Sequence, residues 1–522
     1  MSEVATIIDE TQTEKLRKAN GFRETVLRNI VASFLRVGAV SVVALILPTY
    51  LIHHLPVQTY AAWVLIIQLG AYVSYLDLGI QLAVSKFVAE YDAQNNHAHA
   101  GRHASAGLVL MMIAGVFGLG LTLLLAWQVP RLFAAMPANL YHDVRISVVL
   151  VGASLSFGLV CAVYSAVFLG LQRYWIPTAV TILNRSAFAA VVIMVVAFHR
   201  DLAAMGLAVA IVNIFTGTLQ VVLWRRKAAH IPITLSLVER PILKNVASFC
   251  SLQSVWTTAM LCVAGLDITI VGHYDFLQTA YYSIAILPTN FMLLVVSSML
   301  GPLMPASSAI SAQRTPEEMG AFLAKATRYS TLVLLLVGLP LIVFGLPILR
   351  LWVGSYYAEH AIGYLRVLVL ANIIRNLCAP YATMLVATNR QGAAVVTAIS
   401  EAIVNLGCSL YLASRYGAIG VAIGTLLGSF VSVALHFAVT MHFTKRTLAI
   451  SRGRLLVKGL LQPLLVAIPS LLLFPIWRQL NGITTVGVFL VAWVLSTAAL
   501  VLCFGLNRYE RTELIHMAKE IA

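Results

Sequence analysis

The chain has 522 residues, 60% of them hydrophobic and only 11% charged, and its mean hydropathy is +0.89. Soluble domains carry about 25% charged residues, so this composition excludes a soluble globular protein and predicts one embedded in a bilayer. The formal net charge of +15 does not point to nucleic acid as a partner, because in a chain that crosses a membrane repeatedly basic residues first mark topology.

A crossing helix needs roughly 20 apolar residues. That rule predicts spans near 28–51, 58–76, 104–127, 144–170, 176–198 and 203–223. Six more follow near 246–272, 279–309, 329–351, 361–388, 391–412 and 417–441, and a final pair near 456–476 and 483–505. The fold expected is an all-α polytopic membrane protein of about 14 transmembrane helices. The polar residues ahead of the first span lack the pattern of a secretory signal, so the first helix is expected to remain as an anchor. Between the second and third spans, Asp77-Leu78-Gly79 interrupts the apolar run, and a short amphipathic stretch from Gln81 to Gln94 follows. Asp77 reads there as a cap and turn residue.

The opening of the first span, Arg28-Asn29-Ile30-Val31-Ala32-Ser33-Phe34, is echoed by Lys244-Asn245-Val246-Ala247-Ser248-Phe249, an offset of about 215 residues that marks an internal repeat. Later landmarks keep nearly the same offset: Gln58-Thr59 with Gln278-Thr279, Arg145 with Arg366, and Met205-Gly206-Leu207-Ala208 with Ile419-Gly420-Val421-Ala422. The predicted organisation is a tail (1–22), a six-helix bundle (23–224), a linker (225–243), a second six-helix bundle (244–443), two additional helices (444–505) and a tail (506–522). An even number of spans per half gives the halves the same orientation, a parallel repeat with the substrate path expected between them.

Sorting the loops by side puts 25 basic residues with the two termini and 5 on the opposite side. The positive-inside rule then predicts cytoplasmic N- and C-termini. The short loops leave no room for a soluble catalytic domain, so a transporter is expected rather than an enzyme. The six cysteines sit in apolar runs with no CxxC motif, and read as packing residues. No metal site and no cofactor is expected.

The five basic residues left within spans are all arginines. An intramembrane arginine costs about 2.5–3.5 kcal/mol on insertion scales, and its planar guanidinium suits bidentate contact with phosphate. Arg36, Arg185 and Arg375 lie deep in their helices and are the candidates for a site that binds a diphosphate. Arg145 and Arg366, equivalent in the repeat, lie near the outer ends of their spans, either in an outer cavity or reaching to the interface. Two acids lie within spans, Glu401 and Asp267, and both are candidates for coupling transport to a cation. Arg185 and Glu401 occupy equivalent positions in the two halves, and a pair between them is one expectation. Prolines at 288, 340, 347 and 380 are expected to kink or break their helices, and the asparagines Asn184, Asn213, Asn290, Asn372 and Asn376 to bond between helices or line a path.

Tyr75-Leu76-Asp77-Leu78-Gly79-Ile80-Gln81 through Lys86-Phe87-Val88-Ala89-Glu90-Tyr91, and then Phe168-Leu169-Gly170-Leu171-Gln172-Arg173, resemble the Wzx-type flippases of lipid-linked oligosaccharides. These belong to the multidrug/oligosaccharidyl-lipid/polysaccharide exporter superfamily. The resemblance covers the first twelve spans. It implies a MATE-like pair of bundles that alternate access around a cationic cavity, moving an undecaprenyl-diphosphate-linked oligosaccharide from the inner to the outer leaflet of a bacterial cytoplasmic membrane in polysaccharide biosynthesis. The implied partners are that lipid-linked substrate, membrane lipids and polysaccharide polymerase or export machinery. Many such flippases have twelve spans, whereas fourteen is similar to the lipid II flippase branch. The alternatives are therefore a flippase of lipid II-type peptidoglycan precursors and a cation-coupled multidrug exporter of the same superfamily.

Overall fold

The computed structural model describes residues 40–198, 201–300, 315–388, 390–445, 451–468 and 483–501, together with 38, 303, 307 and 472. Among them no strand occurs. Ten helices are long and apolar enough to cross a membrane, or eleven if one bent pair counts as a single span, and three shorter apolar helices accompany them. Each predicted span overlaps one of these helices. The described residues divide into two compact units. The first draws on Met1–Leu55, Ile66–Pro130 and Ala138–Ser254, the second on Pro56–Leu65, Arg131–Pro137 and Val255–Ala522.

The first unit contains α1 (Val40–His54), the second half of α2 (Val57–Tyr75), α3 (Ile80–Ala93), α4 (His97–Leu132), α5 (Tyr141–Gly170), α6 (Trp175–Phe198), α7 (Leu202–Lys227) and most of α8 (Arg240–Met260). The turn between α2 and α3 has positive φ at Leu78 (48°) and Gly79 (86°), a conformation that glycine adopts without strain. Asp77 Oδ1 accepts the backbone N–H of Gln81 at 3.1 Å, so Asp77 is the cap its position predicted. Beyond it, Ile80, Ala83, Val84, Phe87 and Val88 are buried, the spacing of a single helix face. In a bilayer, apolar surface alone does not drive helices together, and small residues that allow close approach do. Gly118 lies against Ser156, Gly170 against Val88, and Gly206 against Ser147.

The segment after α7 is packed, not loose. Ala228, Ile231 and Ile233 are buried in the same core as α3, α4 and α5. Trp224 Nε1 donates to the carbonyl of Ile231 at 3.2 Å, Thr234 N–H donates to Ser105 Oγ at 3.1 Å, and Arg102 pairs with Glu239 at 3.0 Å.

In the second unit the end of α8 winds into a π-helical turn, Leu261–Gly265, before α9 (Asp267–Tyr274). There follow α10 (Gln278–Leu300), α11 (Pro316–Val343), α12 (Gly345–Val353), α13 (Ser355–Asn376), α14 (Ala379–Ala387), α15 (Val395–Tyr416), α16 (Ala418–Leu435) and α17 (Ile483–Leu500). A capping box opens α11: Thr315 Oγ1 accepts from Glu318 N–H, and Glu318 Oε2 accepts from Thr315 N–H, the reciprocal arrangement encoded by Thr-x-x-Glu. Pro288 and Pro340 lie inside α10 and α11. Pro380 stands at the first turn of α14, where its missing N–H is harmless, and α13 and α14 are bent by 40° at their break. Gly417, with φ of 63°, turns the chain from α15 into α16. Glycines then recur every fourth residue on α16: Gly420 meets Leu412, Gly424 meets Ser409 and Gly428 meets Asn405. That repeated spacing holds α15 and α16 in backbone contact.

Candidate functional site

The second unit gathers three charged side chains within its apolar interior. Arg375, one residue from the end of α13, donates from Nε to Glu401 Oε1 on α15 at 2.6 Å, with the two side chains only 16% and 5% exposed. Arg375 Nη1 reaches Asn372 Oδ1 at 3.5 Å, one turn earlier. Asp267, buried at the first residue of α9, accepts from Tyr282 Oη of α10 at 3.2 Å and from Thr425 Oγ1 of α16 at 3.3 Å. The Arg375 charge lies close enough to act on Asp267. A carboxylate at a helix N-terminus is favoured by the backbone dipole, and the π-helical turn before Asp267 supplies that terminus within the span Gln253–Tyr274. With both acids ionised the trio carries one net negative charge in a medium where an unneutralised charge is expensive.

Several polar atoms around the trio are buried without hydrogen-bond partners among the described residues: Asp267 Oδ1, Arg375 Nη2, and both Oδ1 and Nδ2 of Asn405. Asn405 is fully buried and lies one turn beyond Glu401 on α15. Orphaned oxygens beside a net negative charge fit a proton or a small monovalent cation. The sequence reading did not single out Tyr282, Thr425 or Asn405. For Asn405 a signal was present, since it stands four positions after Glu401 and so on the same helical face.

In the first unit the equivalent positions differ. Ser154 follows Arg145 by the same nine positions that separate Arg375 from Arg366, and Arg185 is the repeat equivalent of Glu401. The bridge of the second unit thus maps onto a serine and an arginine. Ser154 Oγ accepts from Asn213 Nδ2 at 3.0 Å, and Asn184 Nδ2 donates to Asn213 Oδ1 at 3.2 Å and to Thr216 Oγ1 at 2.9 Å. This network ties α5, α6 and α7 together, so Asn184 and Asn213 bond between helices. Arg185, next to Asn184, is exposed at mid-helix, with no acid at the position matching its counterpart's partner. Glu401 takes Arg375 as its partner. Arg36 lies outside the described residues.

Arg145 and Arg366 play the same part in each unit. Arg145 Nε donates to the carbonyl of Ala126 at 3.1 Å, and Arg366 Nε to the carbonyl of Ile342 at 2.9 Å. Each binds its own helix to the end of the preceding long one. Asn376 Nδ2 bonds within its own helix, to the carbonyl of Asn372 at 2.8 Å. The described cysteines are free thiols: Cys161, Cys250 and Cys378 are buried, and Cys262 and Cys408 partly so. Cys503 lies outside the described residues.

These features define a multi-pass, all-helical membrane protein. No family model matches the chain, and no curated protein does either. Among solved structures, the lipid II flippase MurJ in an inward closed conformation is similar with a TM-score of 0.68 at 14% identity, over 92% of this chain and 98% of that one. A multidrug resistance MATE family transporter of the MOP superfamily, inward-facing, is similar with a TM-score of 0.65 at 15% identity, over 76% of this chain and 92% of that one. A MOP superfamily transporter from Pyrococcus furiosus gives 0.58 at 15% identity, over 79% and 93%. The fold is that shared by MATE and MurJ transporters.

Proposed function

We propose that this protein is a flippase that moves a polyprenyl-diphosphate-linked oligosaccharide across a bacterial cytoplasmic membrane by alternating access. The observation that carries this reading is Arg185. At the position where the second repeat places Glu401, the first repeat places the exposed Arg185, and a guanidinium suits the oxygens of a diphosphate. The sequence also offers Arg36 and Arg375, deep in their spans, as phosphate ligands. The match to MurJ, which extends over more of the chain than the two six-helix repeats contain, supports a lipid-linked substrate over a cationic drug. Lipid II carries the same type of diphosphate link and is the second reading.

Coupling is assigned to Asp267 and Glu401. Two acids against one arginine leave room for a single proton or monovalent cation, whose binding neutralises the trio. An alternating cycle can use that neutralisation to favour one conformation, provided the cation binds the two conformations with different affinity.

Purified protein in liposomes, given a fluorescent polyprenyl-diphosphate oligosaccharide, lipid II or a cationic dye in separate assays, tests the reading. The expected result is translocation of the oligosaccharide carrier, reduced by Arg185→Ala and partly restored by Arg185→Lys, which keeps charge but loses the bidentate geometry. Translocation of lipid II alone would select the second reading. Translocation of the dye alone would overturn both.

A further inference from the structure

Away from the membrane-embedded charges, two side chains of the α3–α4 corner meet a third from more than 130 residues later in the first unit. Asp92 stands in the last turn of α3 and His97 is the first residue of α4. The corner between them is fixed by Asn95, at a φ of 54°. Its N–H donates to Asp92 O at 2.9 Å, and Asn96 N–H donates to Tyr91 O at 2.8 Å. Asn96 Oδ1 then caps α4 by accepting from His99 N–H at 3.1 Å. His97 Nδ1 faces Asp92 Oδ1 at 3.5 Å and is a buried nitrogen with no hydrogen-bond partner among the described residues. His230 arrives from the packed segment between the two repeats, its ring edge-on to His97 with centroids 5.1 Å apart.

We infer that Asp92, His97 and His230 form a binding site for a borderline divalent transition metal, zinc by preference, which fastens the inter-repeat segment to the α3–α4 corner. One ligand atom from each lies within 4.8 Å of the others. Zinc bonds of about 2.0–2.1 Å to nitrogen place tetrahedral ligands roughly 3.3 Å apart. The Asp92–His97 pair is already at that spacing, and the exposed His230 closes the third side by turning its ring. Two imidazoles and one carboxylate favour zinc, nickel or copper over magnesium or calcium, which prefer all-oxygen sites. The neighbouring Arg173 charge, which acts on His230, opposes any cation held by charge alone, and so further favours a metal bound through nitrogen donors. Arg173 itself is anchored, donating from Nη1 to the carbonyl of Lys227 at 2.7 Å. The rest of the segment is already docked through Trp224, Thr234 and Glu239, so His230 reaches the corner without ordering a long loop. Three protein ligands leave the fourth position to water.

The test uses full-length purified protein, stripped of metal and titrated with zinc against a chromophoric chelator. One equivalent should bind about tenfold or more tightly than in His97→Ala or His230→Ala, with His99→Ala unchanged as a control for the other histidines. Cobalt in place of zinc should give the visible absorption of a tetrahedral site in the wild type and not in either variant. Zinc should also slow tryptic cleavage after Lys227 in the wild type but not in His230→Ala. Equal zinc affinity and stoichiometry in wild type and the His97→Ala/His230→Ala double variant would overturn the site, and unchanged cleavage would overturn its fastening role.

Discussion

Arg145 supplies from its side chain a hydrogen bond that the backbone of α4 is unable to make for Ala126. Ala126 O lies four residues before Pro130, which has no N–H to offer it, and Arg145 Nε takes that place at 3.1 Å. The second unit repeats the arrangement at the close of α11, where Arg366 serves the carbonyl of Ile342 at 2.9 Å, one of the last carbonyls of that helix and so one without a regular partner.

A double-mutant cycle tests this role. Arg145→Ala should destabilise the protein by about 1–3 kcal/mol, the range for leaving a buried acceptor unpaired. Pro130→Ala restores an N–H for Ala126, so Arg145→Ala in that background should cost measurably less. Thermal unfolding in detergent reads both, and an equal cost in the two backgrounds would show that Arg145 acts elsewhere.

Removing either member of the Arg375–Glu401 bridge should be harsher than removing both. A lone buried charge costs about 3–5 kcal/mol, whereas an apolar pair of similar volume is often close to neutral. Arg375→Met and Glu401→Leu should therefore each lower thermal stability, and the double variant should recover most of the loss. Additive losses would contradict a paired charge.

Asp267→Asn removes the trio's net negative charge while keeping an acceptor for Tyr282 and Thr425. Translocation in liposomes should continue down a substrate gradient but lose its response to an imposed proton or sodium gradient. Should the full response persist, coupling belongs to other residues.

Asp77 offers a pH test outside the spans. Its carboxyl is raised above the ordinary value of 3.8, chiefly by burial and in spite of the backbone N–H groups of Gln81 and Gly79. A carboxyl raised on folding binds its proton more tightly in the folded state, so wild-type stability falls as pH rises from the unfolded value through the folded one. Asp77→Asn keeps the cap acceptor and does not titrate. It should gain on the wild type as pH rises through that window and lose the advantage below it, whereas Asp77→Ala should cost about 1 kcal/mol for the lost cap. A pH-independent difference between Asn and Asp would refute the burial argument.

Single cysteines read topology. Residues at His53, Asp201, Asp275 and Glu359 should react with an impermeant thiol reagent added to intact cells, and one at Arg226 should not. The reverse pattern would invert the orientation read from the basic residues.

Composition and the placement of charge determined the class of this protein. Burying a polar backbone in lipid requires helices or a closed barrel, and apolar runs of about 20 residues fit helices, so those runs give the spans, and the offsets of Arg145 to Arg366 and Met205-Gly206 to Ile419-Gly420 mark the repeat. The cap at Asp77 was legible too, because the residues that make a cap are close neighbours in the chain. What the arginines do was decided only by tertiary structure. Arg375 and Arg185 read alike in sequence, each a costly charge in mid-span. Yet Arg375 has Glu401 at 2.6 Å, whereas Arg185 itself stands at the position of that glutamate, and Ser154 at the position of Arg375. The break that sets Asp267 at a helix start, and the meeting of His230 with Asp92 and His97, also lay beyond the sequence. A side chain's partner is fixed by which helix faces pack together, and that choice depends on glycine contacts such as Gly424 with Ser409, not on spacing along the chain.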